Sequence, residues 1–184
     1  MRLHVPALEE LDYRRKLLAD AATMSYNAGY ERQEGYDSRT GTIDFSRERW
    51  PGWYARWTSS PDRYYAYLLT DDDTPAGEVC WRLDERYGGH MVSLIIEASR
   101  RGQGYGQTAL KMLMAEAFEN HPDIDRLIDV FPMSRTRAWN CFEACGFTTE
   151  GVEKSIRFGT PDTNRILVCT RGQYEKRYQA AASL

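Results

Sequence analysis

One short stretch holds residues suited to gripping an anion: Arg100-Arg101-Gly102-Gln103-Gly104-Tyr105-Gly106, followed by Gln107. Glycines allow backbone bends that side chains resist, and they let the chain approach a ligand without Cβ interference. Arginines present planar forks of donors that match phosphate oxygens. From Gln107 a helix pattern takes over, with Leu110, Leu113, Met114, Ala117 and Phe118 on one face. The first N–H groups of a helix have no internal acceptors, and its dipole favours negative charge there. Type and spacing together point to a phosphate or diphosphate site over residues 101–107. The competing reading is a tight helix start that binds nothing.

The elements around this turn must position it. Val92-Ser93-Leu94-Ile95-Ile96 is a short apolar run, rich in β-branched residues and stopped at Ser99-Arg100-Arg101-Gly102. It reads as a central strand buried on both faces. His121-Pro122 ends the helix, because the residue before proline is pushed out of the α region. The sequence is therefore strand, glycine-rich turn, helix.

At 184 residues the chain suits one domain. A net charge of −3 argues against broad binding to nucleic acid or anionic membranes. No apolar run approaches the roughly 20 residues that span a bilayer. The start, Met1-Arg2-Leu3-His4-Val5-Pro6, lacks a signal-peptide apolar core, so the cytoplasm is expected. Cys80, Cys141, Cys145 and Cys169 read as small buried apolar residues. Their spacing lacks the C-x-x-C pairs of a zinc site, so no metal is expected.

Along the chain, residues 1–6 suggest an edge strand and Glu9–Asp20 a helix, with short helical turns up to Thr42. Ser46 to Thr58 reads as a helix that is either kinked at Pro51 or begins there. Tyr64–Leu69 and Ala76–Leu83 form a hairpin across Asp71–Pro75. Arg126–Phe131 is a second buried strand, and Ser134–Cys145 a helix closed by Gly146. Phe147–Phe158 and Arg165–Thr170 make a last hairpin across Gly159-Thr160-Pro161-Asp162, and Gly172–Ala182 is a polar tail. The helix after Gln107 makes a crossover, so strands 92–96 and 126–131 are expected to be parallel neighbours.

The turn lacks the Lys-Ser/Thr of a phosphate-binding P-loop and the spacing of a dinucleotide fingerprint. Arg101-Gly102-Gln103-Gly104-Tyr105-Gly106 instead fills the pattern Q/R-x-x-G-x-G/A, and in this the chain resembles the GNAT superfamily of N-acetyltransferases. A second segment extends the resemblance, with Ala138, Gly146 and Phe147 in the family's frame. Two positions depart from it. Arg135 stands where an Asn is common, and Phe142 where a Tyr often acts as general acid.

The resemblance implies an α/β fold: a mixed, mostly antiparallel sheet of six to seven strands flanked by helices, its parallel central strands splayed around an acetyl-CoA cleft. It implies one N-acetyltransferase domain over 1–184, with an acceptor side at about 1–62, a CoA-binding core at about 63–170 and a tail at 171–184. An amine acceptor, a small molecule or a peptide, would attack the thioester of acetyl-CoA. The diphosphate would rest on N–H groups of Gly102, Gln103, Gly104, Tyr105, Gly106 and Gln107, aided by Arg100 and Arg101. The backbone of Leu94, Ile95 and Ile96 would pair with the pantetheine arm, the Ile96 N–H facing the oxyanion. His90, Glu78 and Glu97 are the candidate bases. Tyr26, Tyr30, Tyr36 and the Trp50–Trp57 cluster would line the acceptor pocket, near the acidic Glu31, Glu34, Asp37 and Asp44. A homodimer is an expected assembly. Phe142 supports a second reading, a module that binds acyl-CoA without turning it over.

Overall fold

Seven strands form one sheet in the order β1-β2-β3-β4-β5-β7-β6 in the computed structural model, which describes residues 1–30 and 35–179. They are β1 (Arg2–His4), β2 (Arg63–Leu69), β3 (Pro75–Asp84), β4 (Gly89–Ile96), β5 (Arg126–Pro132), β6 (Thr148–Arg157) and β7 (Thr160–Thr170). All neighbours are antiparallel except β4 and β5. That exception follows from α4 (Tyr105–Asn120), which carries the chain across one face between the two strands. The fold is the mixed α/β architecture expected above.

Helices cover both faces. Leu110, Leu113, Met114, Ala117 and Phe118 of α4 are fully or nearly fully buried against Val79, Trp81, Val92, Leu127 and Leu167 of the sheet. α5 (Thr136–Ala144) adds Phe142 to that layer, and Gly146 ends the helix at φ 101. The other face is smaller. Leu17 and Leu18 of α1 (Asp12–Ala19), Met24 of α2 (Ala21–Met24) and Trp50 of α3 (Trp50–Thr58) pack with Phe45 and Ile95.

Several boundaries moved from their sequence positions. α4 begins two residues early, at Tyr105. The segment 9–20 splits into a 3-10 turn (Leu8–Leu11) and α1, and Asp20 then accepts N–H bonds from Ala22 (3.3 Å) and Thr23 (3.0 Å) to cap α2. α3 has Pro51 in its first turn, where the missing N–H costs nothing. The last hairpin turns at Phe158 (φ 51) and Gly159 (φ 71), two positive-φ residues in a two-residue loop. β7 therefore starts at Thr160, and Pro161 lies beyond the last β5 rung, Pro132↔Asn164, where an absent donor is tolerated. A short helix, α6 (Arg171–Tyr174), follows β7, so the tail is helical at its start. Among the described residues no helix is long and apolar enough to cross a membrane.

Candidate active site

The glycine-rich turn leaves β4 through a 3-10 turn at Ala98–Arg100 and enters α4. Gly102 (φ 77) and Gly104 (φ 86) hold left-handed conformations, and a Cβ at either would meet nothing within 4 Å. Backbone shape, not crowding, selects glycine there. Gly104 caps α4 and no side chain supplies a cap bond, so the first N–H donors of the helix face outward unspent.

The rear of the turn is pinned. Arg101 Nε donates to the Ile96 carbonyl (3.2 Å), and its Nη atoms donate to the carbonyls of Ala22 (3.3 Å) and Thr23. The Ala98 N–H reaches Thr23 Oγ1 at 2.9 Å. Three of the five Arg101 donors thus point inward and tie the turn to β4 and α2. Arg100 likewise bonds Glu97 (3.3 Å) and lies over the Tyr105 ring, while the Gln103 amide folds back onto the Ser99 carbonyl at 3.0 Å.

β4 and β5 pair at only two rungs, His90↔Leu127 and Met91↔Ile128, and then part. The other edge of β4 is paired with β3 over its whole length, from Asp84↔Gly89 to Gly77↔Ile96. Glu97 donates to the Ala76 carbonyl at 3.1 Å, which sets the alternation. Odd residues of β4 bond β3; the even ones face β5, with Val92 closing the last rung on Ile128 and Leu94 and Ile96 turning their N–H and C=O groups toward the gap. Ile95 therefore drops out of the expected backbone set. Its peptide is committed to β3, and its side chain lies in the core against α1 and α2.

The gap opens into a cavity of about 580 Å³. Val92, Ser93 and Leu94 form one wall, Asp129, Val130 and Phe131 the other, and Arg135, just before α5, and Cys141, within it, also border the cavity. Tyr26, Tyr30 and Trp57 border it from the N-terminal part. Arg157, at the end of β6, holds the loop carrying these tyrosines by donating to the carbonyls of Ala28 (2.8 Å) and Tyr26 (3.3 Å). The remaining aromatics are structural. Trp50 is buried on Phe45, Trp53 packs edge-on to Tyr65 at 4.7 Å, and the Tyr36 hydroxyl bonds the Asn27 carbonyl. Asp37 accepts from the Arg39 N–H (2.8 Å), and the N–H and C=O groups of Asp44 bond Gly35 and Arg49. Glu31 and Glu34 lie outside the described residues.

Residues 26–147, well over half of the chain, match the model of the acetyltransferase (GNAT) family. The chain belongs to that family. No curated protein sequence matches it. Solved structures agree on the fold. A spermidine N-acetyltransferase from Vibrio cholerae, in complex with CoA and spermine, superposes with a TM-score of 0.74 at 15% identity, covering 94% of this chain and 96% of that one. A point variant of the Vibrio cholerae enzyme gives 0.73 at 13% identity over 96% and 99%. A chimera of the Vibrio cholerae enzyme gives 0.73 at 15% over 94% and 96%. Transfer of acetyl from acetyl-CoA to an amine is the chemistry of this acetyltransferase.

None of the three candidate bases borders the cleft of the acetyltransferase. Glu78 is buried, ion-paired with Arg14 and bonded by the Tyr65 hydroxyl. His90 sits at the closed end of the strand pair, edge-on to Trp81 at 5.2 Å. Burial, with His121 nearby, holds its pKa below the usual histidine value despite an opposing pull from Asp62. Glu97 follows the last residue of β4 and bonds Arg100. Phe142 is 3% exposed and packs edge-on against Phe147 (4.9 Å) and Phe131 (5.6 Å), as core packing would have it.

The cysteines divide. Cys145 and Cys169 are buried, as expected, whereas Cys80 and Cys141 are partly exposed and border the cleft. Cys141 also backs the turn, since a Cβ on Gly106 would lie 3.4 Å from its Sγ, an ordinary contact. Gly106→Ala should therefore fit. It should raise stability by about 0.5–1 kcal/mol through helix propensity and keep the CoA-induced rise in melting temperature. Thermal melts with and without CoA check both.

Asp129 also borders the cleft, and as a lone carboxylate inside Leu127-Ile128-Asp129-Val130-Phe131 it stands out in the sequence. Charged side chains enter apolar strands at a cost that usually reflects a use.

Proposed function

We propose that this acetyltransferase acts on the amine of a small molecule entering beside Tyr26, Tyr30 and Trp57. Acetyl-CoA is the second substrate. Its diphosphate rests on N–H groups from Gly102 to Gln107, with Arg100, Gln103 and Tyr105 at the rim. Its pantetheine arm lies as a surrogate strand along Leu94 and Ile96. Arg101 holds the Ile96 carbonyl at the diphosphate end of the arm, and the deeper Leu94 N–H, which also faces the gap, is suited to a developing oxyanion. One observation carries this reading: β4 leaves β5 after two rungs, and the gap leads to an uncapped helix start.

The charges of the cleft bear on the acceptor. Asp84 pairs with Arg82 at 3.0 Å, and Glu153 with Arg86 at 2.9 Å and with the Tyr87 hydroxyl at 3.0 Å. Among the described residues Asp129 is then the one cleft carboxylate without an ion pair, too little negative charge for a long polycation such as spermine, the ligand of the Vibrio cholerae neighbour. Amines with an aromatic or zwitterionic body are expected to be better acceptors. The test is thiol release from acetyl-CoA with spermine, spermidine, aromatic ethylamines, amino acids and a peptide N-terminus. Turnover fastest with an aromatic or zwitterionic amine supports this acceptor class. Turnover fastest with spermine contradicts it, and CoA binding without turnover of any amine returns the chain to the binding-module reading.

The reading takes 1–184 as one domain: the acceptor side over 1–62, the CoA core over 63–170 and the tail beyond. It places the chain in the cytoplasm, where four unpaired thiols stay reduced. It also makes the chain a homodimer, supported by the edge strand β6 and its turn, which expose Val152, Ile156 and Phe158.

A further inference from the structure

Asp129 is the first residue of β5 beyond the last rung shared with β4, and the register places it across from Val92. It borders the cleft where the two strands begin to part. The other cleft carboxylates, Asp84 and Glu153, are held by arginines. Asp129 instead accepts the N–H of Val130 at 2.7 Å, a bond that fixes the carboxyl without neutralising it. No ionisable side chain faces it from the β4 wall, where Val92, Ser93 and Leu94 stand. Arg135, just before α5, and Cys80 of β3 interact with it electrostatically; the other titratable groups of the same cavity are Cys141 of α5, Tyr26 and Tyr30 of the N-terminal part, and the paired Arg82, Asp84, Arg86, Tyr87 and Glu153. Arg135 lies over the rings of Tyr26 (4.7 Å) and Phe131 (5.0 Å), a place that lets it attract the carboxylate across the cleft.

We propose that Asp129 is the proton shuttle of the reaction, taking the proton from the acceptor nitrogen and returning it to the departing CoA sulfur. This rests on the acetyl-transfer reading above. The nitrogen lone pair adds to the thioester carbon, and the carbonyl π pair moves to oxygen. The nitrogen, now cationic, loses a proton to the Asp129 carboxylate. The oxygen pair then re-forms the carbonyl and the C–S bond breaks, its electrons leaving on sulfur. Asp129 gives its proton to that sulfur and is again a carboxylate. Amide and free CoA thiol are the products, and no further reactant is consumed. Nitrogen joins and sulfur leaves the same carbon, so one carboxyl at the base of the gap can serve both. That dispenses with the hydroxyl that Phe142 lacks.

The acidity of the group fits the task. Burial pushes its pKa up to about 6, with Arg135 and the Val130 N–H pulling the other way. It is then ionised at neutral pH, yet a far better proton carrier than an ordinary aspartate. The linkage has a definite sign. Asp129 holds its proton more tightly when folded, so its ionisation lowers native stability as pH rises from 3.8 to about 6.

The test is Asp129→Asn, which keeps the shape and the Val130 bond. With the best acceptor, kcat should fall at least about hundredfold, while the CoA-induced rise in melting temperature is retained. The unliganded variant should melt at the same temperature as the parent or higher at pH 7.5. The ratio of kcat/KM, parent over variant, should rise with pH to a plateau through a break near 6. The acceptor's own ionisation is common to both proteins and cancels. A variant that keeps more than a third of the parent kcat overturns the proposal. So does a flat ratio across pH, or loss of CoA binding together with turnover. If the parent itself binds no CoA, the acetyl-transfer reading falls and takes the shuttle with it. If only the Asn variant misbehaves as described, that reading stands without the shuttle.

Discussion

Gly104→Asp is expected to remove CoA binding while leaving the acetyltransferase folded. The unliganded turn has room for the side chain, since nothing lies within 4 Å of an added Cβ. The backbone penalty for a left-handed non-glycine residue is about 1–2 kcal/mol, a cost the fold can bear. The ligand suffers more. A carboxylate about 4 Å from a phosphate, at an effective dielectric near 20, is repelled by about 4 kcal/mol, or nearly three decades of affinity. A ligand at a hundred times its Kd stabilises by about 2.7 kcal/mol. The variant should show almost none of that rise at the same CoA concentration. Gly104→Ala is the control, because it carries the backbone strain without the charge and should keep most of the rise. Equal CoA stabilisation in the Asp variant and the parent would remove the diphosphate from this turn.

The largest effect on stability is expected at Arg14. Its guanidinium pairs with Glu78 and stands over the rings of Trp53 (4.5 Å), Phe45 and Tyr65 (both 5.2 Å). Both partners are mostly enclosed, at 14% and 7% side-chain exposure. Arg14→Met would leave the Glu78 charge buried and uncompensated, at a cost of about 3–5 kcal/mol. That is a large part of the stability of an ordinary domain. Adding Glu78→Met to the same chain should recover most of the loss, because two apolar side chains pack where a buried ion pair stood. Denaturant midpoints of the parent, the single variant and the double variant give the comparison. A single-variant loss under about 1 kcal/mol would mean that the pair is solvated and contributes little. The same chemistry explains why Glu78 makes a poor base, since its oxygens are already held by Arg14 and Tyr65.

The parts of this structure that sequence exposes are those governed by local rules. β4 is legible because five successive residues, Val92 to Ile96, are nearly all apolar. α4 is legible because its apolar residues recur with the period of a helix. The turn between them is legible because glycine at two positive-φ positions has few substitutes. What was hidden depends on distance along the chain. Glu78 looks like a candidate base until Arg14, 64 residues earlier, is found against it. The tie from Arg101 to the carbonyls of Ala22 and Thr23, nearly 80 residues earlier, has no trace in the local pattern. The last hairpin turns earlier than its Gly-Thr-Pro-Asp run suggests because Phe158 adopts a φ that bulky residues seldom do. Asp129 was readable in type but not in use, since its value comes from where β4 and β5 part.

Backbone amide chemical shifts, followed as acetyl-CoA is added, address the cofactor cradle most directly. The largest changes should fall on Gly102 to Gln107 and on Leu94 and Ile96, with Met91, Ser93 and Ile95 less affected because their amides are bonded to β3. Saturable binding that leaves the amides of Gly102, Gly104 and Gly106 unmoved would contradict the account.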